Sequence, residues 1–221
     1  MAAKKAAAKK AKAPKRKFSI NFEIICGVFL ALFAASLAAT DLMGGKYGDD
    51  EIIAHNEKTT AYQWFNSKGM KENLAEGQRD ILQGLIAAGS IDKKQIEGTK
   101  KVVRDLDEKI KRYGREKNEI LLGSEKVGKE NWVQSVDGKM GQVIGAKQWE
   151  DNATRLGAIG DWYDRATLFL QFCLVLGAVA LVLQTGRYKW VFFGSMVVLG
   201  LIGSAISLYA YLEAAKIPVL G

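Results

Sequence analysis

Three stretches of this chain stay apolar for longer than a soluble core helix does. Two of them, Ala166–Thr185 and Trp190–Leu212, contain no Asp, Glu, Lys, Arg or His and are separated only by Gly186-Arg187-Tyr188-Lys189. Helices of those lengths rise roughly 30 and 34 Å, enough to cross a hydrocarbon core of about 30 Å. The pattern predicts a pair of transmembrane helices. The third stretch, Phe18–Thr40, comes first in the chain and holds one charge, Glu23, close behind Lys17. From there Glu23 can reach the interface and pair with the basic end, which is favoured over a buried functional carboxylate. Ile24–Ala35 followed by Ser36-Leu37-Ala38 also has the form of a cleavable signal peptide. The apolar region runs well past a usual signal core, however, which favours a retained helix.

Small residues recur along two of these runs. Gly27, Ala31 and Ala35 form a ridge in the first, and Gly200/Ser204 and Gly203/Ser207 form one in the last. Such spacing lets helix backbones approach closely in lipid, so these positions are the expected helix-packing residues.

The middle of the chain is polar and periodic. Asp41–Asp50 (DLMGGKYGDD) predicts a Gly-rich break, with Asp49 and Asp50 opening a new helix. Trp64, Met70, Leu74, Ile81 and Leu85 then recur at helical spacing, Gly89 supplies a stop, and Ser90-Ile91-Asp92 with Gln95 supplies the next start. In the following helix Ile96, Val103 and Ile110 fall seven apart, as do Thr99, Leu106 and Tyr113. This seam of Ile96, Val103, Leu106, Ile110 and Tyr113 is a candidate for oligomerisation. Packing on the preceding helix as an antiparallel partner is the favoured reading, and the seam is too short for a long coiled coil. Gly123–Gly145 breaks the pattern. There Asp137-Gly138 can turn a hairpin between Trp132–Val136 and Met140–Ile144, with an ordered loop as the other reading. From Ala146 helix resumes and leads straight into Ala166, with Gly157 and Gly160 as weak points.

Charge adds direction. The net charge of +8 equals that of residues 1–17, which hold eight Lys/Arg and no acid, whereas residues 41–165 hold 21 basic and 22 acidic residues. The Ala/Lys tail reads as solvated, disordered chain that can also bind anionic lipid headgroups. Without interleaved aromatics or a reading fold it does not indicate nucleic-acid binding. The tail, together with Arg187 and Lys189, puts the N-terminus and residues 186–189 in the cytoplasm by the positive-inside rule, and residues 41–165 in the periplasm of a bacterial inner membrane. Aromatic anchors agree: Trp162, Tyr163, Tyr209 and Tyr211 at the outer ends, Tyr188 and Trp190 at the inner turn.

Candidate chemistry is sparse. Cys26 and Cys173 lie inside apolar runs and behave as small apolar side chains, so no disulfide or thiolate metal site is expected. His55 follows Glu51 by one helical turn, but a metal needs more ligands than that, and a surface histidine is expected. The glycines of 123–145 do not match a phosphate-cradling loop. Acid pairs such as Asp161/Asp164 sit beside Arg155 and Arg165 and read as solvated ion pairs. No catalytic, cofactor-binding or metal-binding residue is therefore assigned.

The expected fold is an all-α membrane protein: three transmembrane helices with a helical-hairpin extramembrane domain between the first and second. Its parts are a basic cytoplasmic tail (1–17), transmembrane helix 1 (18–40), an extramembrane domain with a Gly-rich segment (41–165, 123–145), transmembrane helices 2 (166–185) and 3 (190–212), and a short tail (213–221).

Gly44, Gly45, Asp49 and Asp50 at the end of an apolar helix, then Asn56, Trp64, Ser67-Lys68 and Lys71, then a closing apolar hairpin, resemble the bacterial membrane-protein family of domain of unknown function 4337. The likeness is one of layout over most of the chain and of a short stretch around Trp64–Leu74; the segment 123–145 departs from it. The resemblance implies the architecture and no mechanism. The function expected is a non-enzymatic scaffold or accessory subunit that docks to itself or to a larger membrane complex, with an oligomeric channel or transport component as the alternative. The uncharged hairpin argues against conduction, which leaves polar groups along a path.

Overall fold

The computed structural model describes residues 21–183 and 186–217. The basic tail with its headgroup-binding expectation, the first residues of the initial apolar run, Gln184, Thr185 and residues 218–221 lie outside the described residues. Apart from a two-residue β ladder, the regular structure is helical.

One helix sets the frame. α1 (Phe22–Ala87) runs unbroken for 66 residues, about 100 Å at 1.5 Å per residue. Its buried residues are Cys26, Phe33, Thr40, Ala54, Ala61 and Ala75, all on a single seven-residue register. A second series four residues on, from Leu30 and Gly44 through Lys58 and Glu72 to Ile86, is partly buried throughout. A strict repeat of seven fits 3.5 residues per turn, so helices that follow it wind around one another with the seam held in contact. The partners obey the same rule. In α4 (Ala146–Val182), Leu156, Tyr163, Leu170 and Gly177 form one buried series and Ile159, Ala166, Cys173 and Ala180 another. In α5 (Gly186–Ala214) the series is Met196, Gly203 and Ala210.

Two helices share the length of α1. α4 lies antiparallel along its first two thirds: Leu30 meets Gly177, Gly44 meets Tyr163, Glu51 meets Gly157, and Asp41 accepts a hydrogen bond from Thr167 at 2.7 Å. Farther out α2 (Ile96–Leu122) takes over, also antiparallel, with Lys68 against Glu116, Glu72 against Lys117 and Arg79 against Asp107. The single turn α3 (Ser124–Val127) follows it. α5 packs back on α4, pairing Gly203 with Leu170 and Trp162 with Tyr209. Three of the helices, α1, α4 and α5, contain segments long and apolar enough to cross a membrane.

Several expectations are corrected here. The chain does not break at Asp41–Asp50. Gly44 and Gly45 are mid-helix, because Gly44 lets the Tyr163 side chain approach to 3.2 Å of where a Cβ would sit and Tyr47 stacks on the Tyr163 ring at 5.7 Å. Continuous packing on one seam outweighs the ~1 kcal/mol that each glycine costs a helix. Gly186-Arg187-Tyr188-Lys189 is the first turn of α5 rather than a loop; α4 ends at Val182, with Leu183 extended. The seam of α2 is covered within the chain: Val103 and Leu106 are buried and Ile96, Ile110 and Tyr113 half-buried on the side that faces α1. Finally, Met70, Leu74, Ile81 and Leu85, which recur at helical spacing, are exposed, while small Ala61 and Ala75 fill the seam.

Candidate functional site

α2 and α4 meet nearly end to end against α1, and the segment 123–145 closes the joint. Gly123 and Gly145 make the splice possible. A Cβ on Gly145 would collide with the backbone of Leu122 and Gly123, and Gly123 takes φ +89°, so neither position accommodates a side chain. The Gln148 side chain caps the start of α4 by accepting the Gly145 amide at 2.8 Å.

A carboxylate organises the rest. Glu119, in the last turn of α2, is fully buried. One of its oxygens accepts the Ser124 hydroxyl at 2.7 Å, and the other accepts the backbone amides of Val133 and Gln134, each at 2.8 Å. Ser124 in turn accepts the Val143 amide at 3.0 Å and donates its own amide to the Val143 carbonyl at 2.9 Å. The Trp132 indole donates to the Ser124 carbonyl at 2.8 Å. Both arms of the segment are thereby tied to one side chain. Between them the expected hairpin forms as a short ladder, Ser135–Val136 against Lys139–Met140, turned by Asp137 and Gly138 at φ 51° and 78°. A buried carboxylate is tolerated because three donors replace its water shell.

A second buried acid lies one turn earlier. Glu116, 8% exposed, sits 2.6 Å from Lys68 Nζ and 3.3 Å from Arg112 Nε. Charged pairs therefore lie within the α1–α2 seam, and the opposite side of α1 carries the exposed apolar residues.

In the apolar bundle, small residues bring α1 and α5 together. Ser36 and Ser204 hydroxyls are 3.0 Å apart; Thr40 donates to the Ser36 carbonyl at 2.8 Å and lies 2.9 Å from Ser207 Oγ. Gly200 faces the Phe33 ring and Gly203 faces Leu170. The ridge of Gly27, Ala31 and Ala35 points elsewhere: Ala31 and Ala35 are exposed, and nothing lies within 4 Å of a Cβ on Gly27. Within the chain, the contacting face of α1 is that of Cys26, Phe33 and Thr40.

The aromatic residues divide similarly. Tyr188, Trp190, Tyr209 and Tyr211 are exposed and Trp162 is half-buried, with Arg165 over its ring at 4.7 Å. Tyr163 is not an outward anchor. It is 1% exposed between α1 and α5, because its position belongs to the buried seven-residue series of α4. His55 pairs loosely with Glu51 at 3.6 Å and is half exposed. Cys26 and Cys173 are free and buried. Among the described residues no group of three or more His, Cys, Asp or Glu could hold a metal ion.

Local sequence carried no signal for Glu119, whose donors come from residues up to 15 positions away. The seven-residue register of α1 was legible in principle, but beside Phe33 its buried positions hold Cys, Thr and Ala, and many larger apolar residues lie off it.

No curated protein and no solved structure matches the chain. A family model matches residues 22–213, from the first turn of α1 to the last of α5, and on that match the chain belongs to the family described as Domain of unknown function (DUF4337).

Proposed function

We propose that this protein is a non-enzymatic scaffold or accessory subunit of a bacterial inner membrane, in which three spanning helices hold a helical extramembrane rod that docks other protein. The observation that carries this reading is the continuity of α1. A single helix passes from the apolar bundle into the polar domain, and the 46 residues from Leu42 to Ala87 extend about 70 Å beyond the apolar segment. A helix stiffened along its whole length by α4 and α2 transmits position from the bilayer to its tip at Gly89. The buried acids support the same role: the hydrogen bonds of Glu119 fix the segment 123–145 on α2, and the ion pair of Glu116 with Lys68 fixes α2 on α1.

Orientation follows the charges: the basic tail and Arg187/Lys189 on the cytoplasmic side, and residues 41–165 periplasmic. Reporter fusions at the N-terminus and at Ser90 test this reading. A periplasm-active reporter at Ser90 in the membrane fraction is the expected result; a cytoplasmic Ser90, or a protein recovered in the soluble fraction, would overturn it.

A further inference from the structure

The outer side of α1 is built unlike every other solvent-facing surface of the polar domain. Opposite the seam, the helix face running from Ile52 to Gly77 contains no Asp, Glu, Lys or Arg. Ile52, Ile53, Met70 and Leu74 on it are 55–68% exposed. The outer side of α2 shows what solvent normally receives: Lys101, Asp105, Glu108 and Lys111, all exposed. On α1 Lys68, Glu72 and Arg79 lie in the seam instead, and the exposed Glu57 and Lys71 lie to the side of the outer face.

We infer that this face is the contact between two copies of the chain, with the α1 helices side by side and parallel. The inference rests on the docking reading above and specifies its partner. Three observations favour a second copy. First, a face that meets itself brings like charges together, and this one has none over 26 residues. Second, the same face continues into the apolar segment as Val28, Ala31, Leu32 and Ala35, so the partner must change from apolar to polar at the same height, as a parallel copy does. Lys46 and Asp49 alone interrupt the face at that border, and their opposite signs allow exchange between copies. Third, the strip from Val28 to Ile81, with Asp80 held by Arg79 at its far end, is about 80 Å long and roughly 10 Å wide. That is about 800 Å² per copy, the area each partner buries in a standard stable interface.

Single cysteines at Gln63, Met70 and Glu108 test the inference in native membranes under mild oxidation; Cys26 and Cys173 are buried and give no background. Gln63→Cys and Met70→Cys are expected to shift most of the protein to twice the chain mass, while Glu108→Cys stays at one. In detergent, Met70→Asp with Leu74→Asp is expected to halve the particle mass without changing helical content. Equal cross-linking of Glu108→Cys would mean random collision and overturn the inference. Cross-links to a product of another mass would overturn the second copy yet leave docking in place. A one-chain particle with no cross-link at either outer position would overturn both.

Discussion

The Glu119 carboxylate and the Ser124 hydroxyl meet at 2.7 Å, out of contact with solvent. This contact joins the end of α2 to the segment that returns the chain to α4, and it places the second carboxylate oxygen under the Val133 and Gln134 amides. Glu119→Ala would strand the buried Ser124 hydroxyl and Gln134 amide at about 1–3 kcal/mol each before relaxation, and free the part-buried Val133 amide. The expected outcome is release of the segment, with rapid tryptic cleavage at Lys126, Lys129 and Lys139 while α1 stays intact. Glu119→Gln keeps one acceptor oxygen and should cleave at an intermediate rate. Unchanged cleavage in Glu119→Ala would remove the carboxylate from its organising role.

Lys68 and Glu116 form a pair whose members are 16% and 8% exposed. Removing Lys68 leaves the nearly buried Glu116 with only the half-exposed Arg112 beside it, so Lys68→Met should destabilise by about 1–3 kcal/mol, whereas Lys68→Met with Glu116→Leu should recover most of that loss. A double-mutant cycle on thermal unfolding in detergent measures the coupling. Additive effects would show that the pair is solvated.

Glycine substitutions distinguish the two faces of α1's apolar segment. A Cβ on Gly200 would lie 2.5 Å from the Phe33 ring, so Gly200→Ala should cost about 1–3 kcal/mol as the helices part. Gly27 has nothing within 4 Å, so in a single chain Gly27→Ala should be neutral or stabilising by up to ~1 kcal/mol. Thermal midpoints of the two variants, compared in detergent, should therefore move in opposite directions or by very different amounts.

Tyr62 donates its hydroxyl to Glu150 at 3.2 Å across the α1–α4 contact. Burial, then the hydrogen bond and negative charge of Glu150, raise its phenol above the ordinary tyrosine value. A raised folded-state value means the contribution is present below the unfolded value near 10 and is lost as pH rises through the folded one. The stability advantage over Tyr62→Phe should therefore hold at neutral pH and vanish in alkali. A constant difference across that range would place Tyr62 free of Glu150.

Sequence alone determined the material of this protein. Uncharged runs at 166–185 and 190–212 announce membrane-length helices by composition, and the Asp137-Gly138 turn and the unbroken run from Ala146 into Ala166 follow from local chemistry. The spacing of Val103, Leu106 and Ile110 likewise marked a buried seam. What covers that seam was a tertiary matter: α1, which local glycines seemed to end near Gly44, continues because Tyr163 packs where a side chain on Gly44 would lie. The same holds for the residues that misled. Met70, Leu74 and Ile81 have the spacing of a core, but α2 packs on the face of Ala61, Lys68 and Ala75, where small and charged groups fit between two backbones. Glu119 lay beyond local reading altogether, because a buried carboxylate is defined by donors that only the folded chain brings to it.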